Sequence, residues 1–122
     1  MKVSRAPNVL VQKSGYGGAD IYLDHDENDD TTVRYLRKKS AARLQRRYLD
    51  DIYSLMDGVR LGWGKAVLPR HLVAQEPELE VINPDRTLEI PVVLHHYEQP
   101  FYSRLHQGVL DALVRNCPRF LL

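Results

Sequence analysis

The clearest periodic stretch follows a pair of acids. Ile52, Leu55, Met56 and Val59 recur at i, i+3, i+4 and i+7, which places them on one face of an α-helix. Asp50-Asp51 stands where such a helix takes its capping side chain. A second stripe, Phe101, Leu105, Val109, Ala112 and Leu113, predicts a helix over about 100–115, opened by Pro100 and stopped by Asn116-Cys117-Pro118. Val33 and Leu36 predict a shorter helix over about 31–39, with Asp29, Asp30 or Thr31 as its cap. Pro69 opens another, to about Gln75. Between them, Ala19–Leu23, Arg43–Leu49, Lys65–Leu68, Leu79–Ile82 and Leu88–His95 read as strands, and Pro91 assigns the last to an edge or a bend. Residues 1–18 read as an irregular leader or connector. Val9-Leu10-Val11 is at most a short strand there, and Gly15-Tyr16-Gly17-Gly18 ends any regular element. Alternating strands and helices predict an α/β fold with a mainly parallel sheet flanked by helices. The last stripe and the tail Phe120-Leu121-Leu122 look built to meet a further layer, as in a larger architecture.

Composition narrows the setting. At 122 residues the chain has about one domain's length, and 17 basic against 16 acidic residues leave a net charge of +1. That balance gives no global reason to bind nucleic acid or anionic lipid. There is no apolar run of membrane-spanning length, about 18 residues, so no membrane partner is expected. Met1-Lys2-Val3-Ser4-Arg5 has no secretion core behind it, and a lone Cys117 makes no intrachain disulfide, so the expected location is cytoplasmic. Acids cluster over Asp24–Asp30 and bases over Arg34–Arg47, which reads as an acidic helix start and a basic helix end.

Candidate chemistry is sparse. Asp24, Asp26 and Asn28 stand at positions 1, 3 and 5 of a calcium loop, but Asp29 replaces the needed Gly and Tyr35 the needed Glu. The same stretch is similar to the strand-end Asp-x-Asp of haloacid-dehalogenase-like phosphatases, in which the first Asp is the nucleophile. Asn28 departs from that pattern, and Asp50-Asp51 sits too early for the magnesium-holding acids. Gly15–Gly18 precedes a strand, where a phosphate loop would open a helix. His95 and His96 are adjacent on a strand and point to opposite faces, while His25, His71 and His106 are isolated, so no metal site is expected. No catalytic group and no cofactor site emerges.

The informative segment runs from Tyr48 to Val73. A capped helix leads into Val59-Arg60-Leu61-Gly62-Trp63-Gly64, then a strand ending Ala66-Val67-Leu68-Pro69, then a helix. This order resembles the effector-binding domain of LysR-type transcriptional regulators, with its Val-x-x-Gly-x-Gly turn and Leu-Pro strand end. Tyr22–Asp26, Leu79–Ile82, Ile90–His95 and the helix from Phe101 resemble neighbouring elements of that family, extending the likeness over about 21–115. The resemblance implies a periplasmic-binding-protein-like half domain, with residues 19–122 holding the second subdomain and the returning elements. It implies a non-enzymatic regulatory domain whose partner is a small-molecule effector. Its helix-turn-helix and first effector subdomain are not among these residues, so no direct DNA contact is expected.

Carried onto this chain, the cleft wall is formed by two strand-to-helix turns, because ligands of open α/β sheets bind at strand carboxyl ends. The first turn offers His25, Asp26, Glu27 and Asn28, and the second Asp50, Asp51 and Ile52. So acidic a rim favours a cationic or neutral effector; alternatively these acids only cap helices. Gly62 and Gly64 allow a tight reversal, with positive φ expected at one of them, and Pro69 starts the next helix. The stripe from Phe101 would pack on the first subdomain, so a homo-oligomer is expected in its absence. Two alternatives remain: a stand-alone small-molecule-binding or interaction module, and the phosphatase.

Overall fold

A twelve-residue strand, β1 (Lys2–Lys13), runs through the middle of the molecule in a computed structural model that describes residues 1–122. After it come β2 (Ile21–Asp24), α1 (Thr31–Leu36), β3 (Gln45–Tyr48), α2 (Ile52–Arg60) and β4 (Ala66–Pro69). Then follow α3 (Arg70–Val73), β5 (Leu79–Ile82), β6 (Leu88–Val93) and α4 (Arg104–Leu121). The first thirteen residues are therefore not an irregular leader, and the connector is confined to the turn before β2. Ser4 and Ala6–Val11 are buried, so β1 lacks the polar–apolar alternation of a half-exposed strand. Pro7 is tolerated because β4 begins to pair only at Asn8, leaving β1 one neighbour at the proline.

The sheet is mixed, not mainly parallel. β4 pairs antiparallel with one edge of β1, from Asn8↔Pro69 to Val11↔Ala66. β5 and β6 pair antiparallel with β1 over Leu10–Lys13 and Lys2–Asn8, lying end to end along its other edge. Pro91 sits on β6, which pairs only with β1, so the edge position expected for it is observed. The parallel component is β2 with β3, attached to the remainder by a bridge from Tyr22 to Lys65. Crossover helices return β2 to β3 and β3 to β4 in the same direction. β1 enters from outside that series and has no such constraint.

Successive residues of β1 serve opposite faces. Val9 and Val11 join Leu23, Leu55, Met56, Val59, Leu68 and Val73 in the main core beneath α2 and α3. Leu10 packs with Tyr35 and Val67 beneath α1. Asp51 caps α2 by accepting the Ser54 N–H at 2.9 Å, as its position implied. The turn after α2 places Gly62 at φ 75°. A β-carbon on Gly64 would lie 2.5 Å from the Ile21 carbonyl oxygen.

The last helix departs from expectation twice. It begins at Arg104, capped by the Ser103 hydroxyl accepting the His106 N–H, and leaves Phe101 outside. It also runs past Asn116-Cys117-Pro118 to Leu121. Proline removes one backbone donor, and a single closing turn tolerates that loss. No residue of α4 is buried. The stripe expected to meet another layer points outward, with Leu105 79% and Val109 50% exposed.

Candidate functional site

Where β2 ends, the chain makes an acidic turn whose shape is set by a buried cation. Arg46 Nε lies 2.8 Å from Asp24 Oδ2, with both side chains almost wholly buried. Its Nη2 donates to the carbonyl oxygens of Asp29 (2.6 Å) and Asp26 (3.1 Å), and Nη1 donates to that of Glu27 (3.4 Å). Asp24 also accepts the Thr32 hydroxyl at 2.6 Å. Burial pushes the Asp24 carboxyl above its ordinary range, against the hydrogen bonds from Thr32 and Arg46. Asp24 is thus enclosed and fully partnered, unlike an exposed strand-end nucleophile, so the phosphatase likeness has no support here. No group of three or more His, Cys, Asp or Glu is placed to hold a metal ion.

Asp29 closes the turn. Oδ1 accepts the Thr31 N–H (3.0 Å) and hydroxyl (2.6 Å), and Oδ2 accepts the His25 N–H (2.9 Å). Burial alone would raise this carboxyl. The hydrogen bonds from Thr31 and His25, with the nearby Arg46 charge, outweigh it and hold Asp29 below the usual carboxylate range.

The cavity beside this turn has a volume of about 400 Å³. Its floor is Ala6 and Asn8 of β1 with Val67, Leu68 and Pro69 of β4. His25, Asp29 and Thr31 form one wall, and Ile52 and Leu55 at the start of α2 with His71 of α3 form another. Ile90 and Val92 of β6 and Leu121 of α4 complete it. It therefore sits at the carboxyl ends of β2 and β4, where open α/β sheets place ligands. Its apolar walls carry few polar groups, the usual composition of a small-molecule pocket. Nδ1 of His71 is buried and has no hydrogen-bond partner.

Of the residues singled out from sequence, His25, Ile52 and Pro69 line this cavity. Asp26, Glu27, Asn28, Asp50 and Asp51 do not. Asp26 accepts the Asn28 N–H at 2.8 Å, and Asp51 is the α2 cap, so two of these acids serve local backbone structure. Asp29, Thr31, Asn8 and His71 were missed as lining. For His71 the signal was its position directly after Leu68-Pro69-Arg70; for Asn8 it was a polar residue inside an apolar run. Arg46 was hidden in the basic stretch read as a helix end. On β3 the side chains alternate, so Arg46 turns inward while Arg47 reaches the Trp63 carbonyl oxygen at 3.3 Å. The histidines also gather more than their spacing implied: the His96 and His106 rings lie 6.0 Å apart, with Tyr102 beside both.

No protein-family model and no curated protein matches this chain. Solved structures do. The full-length LysR-type regulator LysG from Corynebacterium glutamicum, described with bound effector Arg, superposes with a TM-score of 0.66 at 14% identity. The match covers 94% of this chain and 44% of that one. ArgP from Mycobacterium tuberculosis gives a TM-score of 0.69 at 12% identity, covering 93% and 44%. The C-terminal domains of a LysR family protein from Agrobacterium tumefaciens give 0.67 at 15%, covering 99% and 64%. The chain has the fold of part of a LysR-type effector-binding domain, and it spans less than half the length of the full regulators it matches.

Proposed function

We propose that this chain is the ligand-sensing part of a LysR-type transcriptional regulator: a non-enzymatic domain that binds a small-molecule effector in the cavity between His25, Ile52, His71 and Val92. The observation that carries this reading is the coincidence of that cavity with the carboxyl ends of β2 and β4, in a fold shared with effector-binding domains. Ile90 and Val92 come from the strand leading toward α4, so a bound molecule would touch both the packed half and the returning arm. Differential contact across those two parts is what lets a ligand bias one conformation over another. DNA is reached in this reading through a helix-turn-helix outside these residues.

A thermal-shift screen of small metabolites tests it. A ligand at one hundred times its Kd stabilises the folded chain by about 2.7 kcal/mol. Val92→Trp, on an edge strand, fills the cavity and is expected to abolish that stabilisation while leaving the unliganded midpoint near wild type. Hits whose shift survives Val92→Trp unchanged overturn the assignment.

A further inference from the structure

Among the residues lining the cavity there is no Lys or Arg, and Asp29 is the one carboxylate. Asn8 uses its amide nitrogen on the Ala6 carbonyl oxygen, leaving Oδ1 as an acceptor without a donor, and His71 Nδ1 has no partner and is a second acceptor in the Nε2–H tautomer. Helix starts at the rim would ordinarily favour an anion. Here carboxylates already take that place. Asp29 accepts the Thr31 N–H at α1 and Asp51 accepts the Ser54 N–H at α2, so a second anion would meet like charge at both. Resting on the effector-site reading above, we infer that the ligand is an organic cation: an ammonium or guanidinium group directed at Asp29, Asn8 and His71, carried on an apolar body that packs on Ile52, Leu55 and Val92. Asp26, whose carboxylate lies 3.9 Å from Nε2 of the cavity-lining His25, adds negative charge beside the site.

Three probes with one apolar body and different charge separate this inference from the reading beneath it: cyclohexylmethylamine, cyclohexylmethanol and cyclohexanecarboxylate. Each is titrated into the full 122-residue chain while backbone amide resonances are followed. The site is reported by which amides move, and the charge preference by the ranking of Kd values. The expected result is perturbation at Thr31, Ile52 and His71, with the amine bound at least tenfold more tightly than the carboxylate. Raising ionic strength narrows that ratio. Asp29→Asn is expected to bring it to threefold or less. Because Asp29 also supports α1, the wild-type ranking and its salt dependence stand as the test if that variant unfolds. Perturbation at the cavity with the carboxylate bound as tightly as the amine, or more tightly, overturns the cation inference and leaves the effector site standing. Perturbation elsewhere, or none at millimolar probe, overturns both.

Discussion

Helices α2 and α4 are written in the same pattern and end in opposite situations. Each carries apolar residues at helical spacing behind a capping side chain, Asp51 for α2 and Ser103 for α4. In α2 the stripe closes on the sheet, leaving Val59 fully buried and Leu55 and Met56 nearly so. In α4 nothing is buried, and Leu105, Val109 and Leu113 face outward. Amphipathic periodicity therefore specifies a helix and an orientation toward some apolar surface, but not that the surface is present in the same chain. The contrast matches the coverage of the related structures: 36% of the Agrobacterium domains, whose match here is 64%, has no counterpart in this chain.

The largest expected effect lies in the packed half. Arg46→Met leaves Asp24 buried without its partner and frees three carbonyl groups of the acidic turn, a loss of about 3–5 kcal/mol. Urea unfolding measures it, and a midpoint near wild type would show that the turn is held by something else. A matched pair of truncations addresses the contrast itself. Leu68→Ala, at a fully buried site, should cost about 2–5 kcal/mol. Leu105→Ala should change stability by less than about 0.5 kcal/mol. If the exposed stripe mediates self-association, Leu105→Ser shifts the chain toward monomer by light scattering, and an unchanged mass rules that role out. Equal costs for Leu68→Ala and Leu105→Ala would mean that α4 is as firmly docked as α2.

The turn joining α2 to β4 gives a smaller effect. Gly64→Val drives a side chain into the Ile21 carbonyl, and Gly62→Val forces a branched residue to a positive φ, each costing about 1–3 kcal/mol. The smallest effect is in the pH dependence. The folded-state carboxyl of Asp29 lies below its unfolded value, so its stabilisation is present above about pH 4 and is lost as pH falls through the folded pKa. Asp24 lies above its unfolded value and has the opposite sign: its contribution is present at low pH and declines as pH rises through the folded pKa. Asp29→Asn should flatten the acid limb of the stability curve, and Asp24→Asn should steepen it. Identical curves for the two variants would contradict the environments assigned to these neighbouring carboxyls.

Much of this was legible from local chemistry. Asp51 followed by Ile52, Leu55, Met56 and Val59 determined α2 and its buried face, because cap and period are properties of neighbours in sequence. Gly62 at a turn between helix and strand announced its positive φ in the same way. β5 was readable to the residue, over Leu79–Ile82. Long-range pairing decided the remainder. β1 was unreadable as a central strand because burial on both faces erases the alternation that marks a strand, and its neighbours lie more than fifty residues away. Direction is likewise a property of the assembled sheet, so the antiparallel half was invisible to a count of alternating elements. The cavity drew Asn8, Asp29, His71 and Val92 together from four separate segments, and the turn it borders took its shape from Arg46 on a strand about twenty residues away. Spacing along a chain encodes which face a residue occupies; only the folded sheet determines which residues share that face.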